Sequence, residues 1–151
     1  MNTSDFYRAF EERYRGSREL IMSRLVQYEP FVKPLLTIYP DAEALDLGCG
    51  RGEWLQLVSE WGFRAVGVDQ DLGMLQACEE RHLPAKQEDI LAHLQSCADE
   101  SVAVVTAFHV AEHLPFPRLQ ELVAHALRVL RPGGLSSCYQ PRQLHHQIYP
   151  I

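Results

Sequence analysis

The sequence predicts an α/β fold, a Rossmann-like doubly wound sheet of mostly parallel strands with helices on both faces. Three observations carry that expectation. Short apolar runs alternate with amphipathic stretches from residue 44 onward, the pattern of parallel strands joined by helical crossovers. The first run, Ala44-Leu45-Asp46-Leu47, opens directly into glycines at alternate positions, Gly48, Gly50 and Gly52. Residues 101–108, with Val102, Val104 and Val105, form an apolar run that suits a buried strand. Right-handed crossovers then bring the C-terminal ends of the strands to one edge, where ligands bind in such sheets.

Each element follows from local pattern. Residues 6–25 carry apolar positions at helical spacing, with Arg and Glu between them. Pro30 and Pro34 are expected to interrupt a continuation, leaving a short helix at 31–38 that Pro40 ends. Residues 53–61 read as a helix stopped by Gly62, and residues 64–68 as a β-branched strand ending at Asp69. A helix at 72–81, a short strand at 85–88 and a helix at 90–95 follow. Residues 117–130 form an amphipathic helix with Leu119, Leu122, Val123, Ala126, Leu127 and Leu130 on one side. Arg131-Pro132-Gly133-Gly134 reads as a turn.

Composition narrows the class. A chain of 151 residues, 46% hydrophobic and 23% charged, fits one domain with a single core. No apolar run approaches the roughly 18 residues of a membrane helix, and the polar start does not resemble a signal peptide, so a cytoplasmic location is expected. Cys49, Cys78, Cys97 and Cys138 form no CxxC pair, and no metal site is expected. A net charge of -6 argues against a large nucleic-acid footprint.

The glycine loop carries the chemistry. A chain that must turn sharply, and let a ligand approach its backbone, needs residues without a Cβ. Asp69, about 20 residues on at the end of the second strand, suits ribose hydroxyls. A dinucleotide loop would place a third glycine where Glu53 stands, and a carboxylate there repels a pyrophosphate. S-adenosylmethionine has no phosphate and carries a sulfonium and an ammonium group. Asp46 can face that cationic end, so both acids favour S-adenosylmethionine over NAD.

At this point the residues resemble a known family. Residues 44–52, Ala-Leu-Asp-Leu-Gly-Cys-Gly-Arg-Gly, are similar to the first motif of class I S-adenosylmethionine-dependent methyltransferases. Val66-Gly67-Val68-Asp69 resembles the second motif, Gln87-Glu88-Asp89-Ile90 the adenine-binding turn, residues 104–114 the fourth-strand motif, and residues 127–134 the late helix and turn. The likeness covers residues 43–135, is closest to the type 11/12 subgroup, and extends weakly at the N-terminus to domains from bacterial cell-surface polysaccharide clusters. The resemblance implies a cofactor site in which Gly48, Cys49 and Gly50 lie against the methionine part, Asp69 binds both ribose hydroxyls, and Asp89 and Ile90 meet the adenine, with Gln70 a further cofactor-binding residue. It also implies that Phe108 and His109 border the sulfonium. The expected organisation is a helical cap or lid at 1–40, a cofactor-binding core at 41–135 and an atypical tail at 136–151.

Methyl transfer is an in-line displacement that needs a base only when the acceptor must lose a proton. His113 is the preferred candidate base and His109 the second; a loop or capping histidine is the alternative for each. Arginines 8, 13, 15, 18 and 24 read as a solvated helix face, with a lid over the cofactor as the alternative. An acid at position 53 suits the dipole of the helix it starts. After Gly134 the chain lacks a strand pattern, so the fold is expected to lack its last strands, as a truncated or frame-shifted product would, leaving an edge open to self-association. The expected function is methyl transfer from S-adenosylmethionine to a small-molecule or glycan acceptor, with a binding but catalytically incomplete domain as the second reading and an NAD-dependent oxidoreductase as the third.

Overall fold

A computed structural model describes residues 16–138. Four helical segments precede the sheet: α1 (Arg18–Leu25), a 3-10 turn (Val26–Tyr28), α2 (Glu29–Val32) and α3 (Leu35–Ile38). The alternating region follows as β1 (Glu43–Leu47), α4 (Glu53–Glu60), β2 (Arg64–Asp69), α5 (Leu72–Glu79), β3 (Ala85–Gln87), α6 (Ile90–Ser96) and β4 (Val102–Thr106). A second 3-10 turn (Ala111–His113), α7 (Phe116–Val129) and β5 (Leu130–Ser137) complete it. The strands form one sheet in the order β3-β2-β1-β4-β5, and every pair is parallel. The expected doubly wound α/β architecture is therefore present.

The two faces of the sheet have separate cores. Ala44 of β1 packs on one side with Leu25, Val32, Leu35, Trp54, Leu55 and Val58 from the helices around α1 and α4. Leu45 and Leu47 pack on the other with Leu91, Leu94, Leu122, Ala126 and Val129 from α6 and α7. Alternate residues of one strand thus supply both layers, which is the pleat of a strand covered on both faces.

Several local expectations need correction. The helix expected over residues 6–25 does not run through its middle. Gly16 takes a left-handed φ of 94°, and the Ser17 hydroxyl accepts from the Leu20 N–H as an N-cap. Tyr7, Arg8, Arg13, Tyr14 and Arg15, and the His145-His146 pair, lie outside the described residues. Pro30 does not interrupt: it sits in the first turn of α2, where its missing N–H costs no helical bond. The α7 face is narrower than its pattern suggested. Leu122, Ala126 and Val129 are buried, whereas Val123 and Leu127 are 45% and 66% exposed.

The largest correction is β5. Residues 131–134, expected to be a turn before a non-strand tail, form a bulge inside a strand. Leu130 pairs with Val102, but Leu135 already pairs with Val104, so three extra residues arch out and the ladder resumes. Gly133 supplies a left-handed φ of 75° in that arch. Ser136 and Ser137 then pair with Val105 and Thr106. Backbone pairing to an established central strand overrides the weak strand propensity of serine.

Candidate active site

Strand order reverses between β1 and β4, since the chain winds outward through β2 and β3 and then restarts on the other side. The loops leaving those two strands consequently diverge and open a crevice at the C-terminal edge. The glycine loop lines one wall and residues 107–113 the other.

The glycine loop is left-handed at three points, with φ of 69° at Gly48, 54° at Gly50 and 77° at Gly52. Its entrance is tied to β2, because the Gly48 and Cys49 amides both donate to the Val68 carbonyl at 2.8 and 3.0 Å. The Gly50 amide donates to Asp69 Oδ2 at 2.9 Å, and the Asp71 amide to Asp69 Oδ1 at the same distance. Asp69 is therefore held at the mouth of the crevice with an acceptor lone pair left on each oxygen, the capacity that a ribose diol requires. A Cβ on Gly48 would meet Val110 Cγ2 at 2.6 Å, and one on Gly52 would meet Leu83 at 2.6 Å. A Cβ on Gly50 would meet nothing within 4 Å. The first and third glycines thus permit packing, and the middle one borders open space.

Asp46 lies beneath this loop and is 3% exposed. The Thr106 hydroxyl, one strand away on β4, donates to its Oδ1 at 2.9 Å. Burial pushes the Asp46 carboxyl up to about 7, the Thr106 hydrogen bond opposes the rise, and the charges of Glu53 and Asp69 add to it. A buried carboxylate of this kind gains from a nearby cation, which is the charge a sulfonium or ammonium group brings.

Asp89 is the N-cap of α6, with Oδ1 accepting from the Leu91 and Ala92 amides at 3.0 and 3.1 Å. Gln70 Nε2 donates to its Oδ2 at 3.1 Å, and Arg118 of α7 reaches both oxygens. Partial burial raises its carboxyl, but the Ala92 amide and Arg118 outweigh that and hold it below the ordinary carboxylate range. Gln70, Asp69 and Asp89 thus share one edge of the site, and half-buried Ile90 follows Asp89. Sequence reasoning missed Arg118, since nothing in its own spacing links α7 to the turn before α6.

On the opposite wall, Phe108 and Val110 are anchored in different directions. Phe108 packs against Tyr28 and Trp54, with ring centroids 5.8 and 5.4 Å away. Val110 packs with the α6–α7 layer and against Gly48. His109, between them, adopts a left-handed φ of 57° that is rare for a residue with a Cβ. Its Nδ1 stands 3.4 Å from Glu112 Oε1. His113 is exposed and ends the 3-10 turn, its amide donating to the Val110 carbonyl at 3.0 Å.

Two other residues have partners that their spacing did not show. Glu53 opens α4, as expected, but it is 8% exposed and lies 2.8 Å from Arg51 Nη2 and 3.9 Å from Arg18. Arg18 does not belong to a solvated face: it reaches the exit of the glycine loop. Arg24 is exposed, as expected. Among the described residues no group of ligands could hold a metal ion.

Residues 45–138 match a family described as a methyltransferase domain, and the chain belongs to that family. It is 35% identical over 98 residues to an uncharacterized methyltransferase of Mycobacterium avium, a match covering 61% of this chain and 36% of that protein. It is 34% identical over 106 residues to a probable S-adenosylmethionine-dependent methyltransferase of Mycolicibacterium smegmatis, covering 68% of this chain and 39% of the relative. The crystal structure of a SAM-dependent methyltransferase from Archaeoglobus fulgidus superposes with a TM-score of 0.74 at 36% identity, over 83% of this chain and 54% of that one. The chain thus spans little more than a third of the curated relatives' length. No helix among the described residues is long and apolar enough to cross a membrane.

Proposed function

We propose that this chain binds S-adenosylmethionine in the crevice between β1 and β4 and directs its methyl group to a small-molecule or glycan acceptor. The observation that carries this reading is the left-handed glycine loop whose Gly50 amide is fixed by Asp69, with open space over Gly50 and buried Asp46 beneath. These residues fit the cofactor's parts: backbone of Gly48, Cys49 and Gly50 for the methionine portion, Asp69 with Gln70 for the ribose, Asp89 and Ile90 for the adenine. Buried Asp46 supplies negative charge for the cationic end. Glu53 stands where a dinucleotide loop carries its third glycine, which disfavours NAD.

When bound, the cofactor supplies a methyl group already activated by a positive sulfur. The chain contributes orientation and the removal of water. His109 is the proposed base for an acceptor that must lose a proton. Its strained backbone is fixed by Phe108 on one side and Val110 on the other, and with Glu112 Oε1 3.4 Å from Nδ1 the proton would go to Nε2. His113, the candidate preferred from sequence, is less suited because it lies farther along the turn and is exposed.

Calorimetry with S-adenosylmethionine, S-adenosylhomocysteine and NAD tests the cofactor. Binding of the first two and not the third is the expected outcome; binding of NAD alone would overturn the proposal. Transfer of labelled methyl from the cofactor to fractionated small molecules and glycans tests the reaction. Loss of transfer in His109→Ala with cofactor affinity retained supports the base, and unchanged turnover removes it.

A further inference from the structure

Three glycines in five residues make the cofactor loop costly to order, because glycine loses more backbone freedom than any other residue. A ligand that has to freeze such a loop gives up affinity in doing so, and a loop held ready in advance spares that cost. The entrance of the loop is anchored by Val68, and its middle by Asp69. Its exit is anchored by a residue from outside the alternating fold.

Arg18, in the first turn of α1, donates through Nη1 to the Arg51 carbonyl at 2.7 Å and through Nη2 to the Gly52 carbonyl at 3.1 Å. Nη2 also reaches Gln56 Oε1 at 2.6 Å. Gln56 in turn donates through Nε2 to Glu60 at 2.7 Å, so its amide is fixed in the orientation that presents oxygen to Arg18. The Arg51 carbonyl precedes the α4 cap and stands outside the helical ladder, so a side-chain donor is the partner it needs. The side chain of Arg18 is only 13% exposed, and Glu53 lies 3.9 Å away to balance its charge. A planar fork with several donors can span adjacent carbonyls and an amide oxygen together; an ammonium cannot.

We propose that Arg18 is a positioning residue for the cofactor loop, holding the left-handed turn from Gly50 to Gly52 in its ligand-ready shape and thereby making α1 part of the cofactor site. Its effect on S-adenosylmethionine rests on the function proposed above; its effect on the loop does not. Arg18 acts through the Arg51 and Gly52 carbonyls rather than on the ligand.

The test compares Arg18→Met, which keeps the aliphatic stem, with Arg18→Lys and with Arg24→Ala as an exposed control. Amide hydrogen exchange on the ligand-free protein reads the loop directly. Arg18→Met should speed exchange at Gly52 and Gln56, whose amides close onto Cys49 and Gly52, and leave α7 unchanged. Calorimetry should show S-adenosylmethionine bound roughly tenfold more weakly by Arg18→Met. Arg18→Lys should recover part of the loss and Arg24→Ala should match the parent. Unchanged exchange at Gly52 and Gln56, or equal acceleration throughout the sheet, overturns the proposal. If the parent chain does not bind S-adenosylmethionine, the cofactor reading fails, and the exchange measurement still decides the role of Arg18.

Discussion

Asp46→Asn should stabilise the protein while weakening its hold on the cofactor. The Asp46 carboxyl is 3% exposed, and burial moves it from an ordinary 3.8 up to about 7. A displacement of about three pH units corresponds to about 4 kcal/mol. Because the folded value lies above the unfolded one, the folded state binds this proton more tightly. The strain of the charged form is therefore fully present above pH 7 and is relieved as pH falls from about 7 toward 3.8. Asparagine is neutral, close in shape, and can still accept from Thr106 through its side-chain oxygen. Chemical denaturation of both proteins should show Asp46→Asn more stable by about 4 kcal/mol near pH 8, with the difference shrinking toward zero near pH 4. Calorimetry should show the opposite ordering for a cationic ligand. Affinity of the parent for S-adenosylmethionine should rise with pH up to about 7 as Asp46 ionises, and that slope should vanish in Asp46→Asn. A variant that is less stable at pH 8, or a stability difference that does not change with pH, would refute the reasoning.

Thr106→Val removes the hydroxyl that donates to Asp46 and opposes its shift, so the pH at which stability changes should move above its parental position in pH-dependent denaturation. Asp69→Ala removes the acceptor of the Gly50 amide and the proposed ribose ligand. Calorimetry should show S-adenosylmethionine affinity reduced roughly 10- to 100-fold, the worth of about 1.5–3 kcal/mol for a hydrogen bond to a charged group. Gly52→Ala combines a φ of 77° with contacts of 2.6 Å to Leu83 and 2.9 Å to Cys78, and thermal melts should show a loss of about 2 kcal/mol or more. A melt matching the parent would mean that the loop relaxes at no cost.

The glycine loop and the acids beside it were legible because their determinants are local. Gly48, Gly50 and Gly52 advertise a left-handed turn by lacking a Cβ, and Asp46 and Asp69 sit at the ends of recognisable strands. The remainder depends on contacts between segments far apart in the chain. Arg18 looks like any other arginine on a polar helix until α1 is folded against α4, 33 residues from the carbonyl it binds. Arg118 reaches Asp89 across 29 residues. Ser136 and Ser137 have no strand signature of their own, and pair because β4 offers them a free edge after the Arg131–Gly134 arch. Glu53 looked sufficient as a helix-dipole residue, and its burial against Arg51 becomes visible only once the loop closes.

Departures from local rules mark function only when combined with position. His82 and Glu100 also have positive φ, at 54° and 50°, but each lies in a turn leading into a strand, at the edge away from the crevice. His109 has the same backbone strain just past the end of β4, where the order of strands reverses. It shares that edge with the left-handed glycines and with a carboxyl that burial holds near neutrality. Strain and desolvation concentrated at one crevice oppose folding, so they persist where the surrounding packing fixes them. Phe108 in the Tyr28–Trp54 aromatic cluster and Val110 against Gly48 supply that packing for His109. The two walls therefore divide the work. The β1–β3 side holds the glycine loop and the acids that the proposed function assigns to the cofactor. The loop after β4, braced through Phe108 by Tyr28 and Trp54, holds the strained His109 that the proposed function offers as a base.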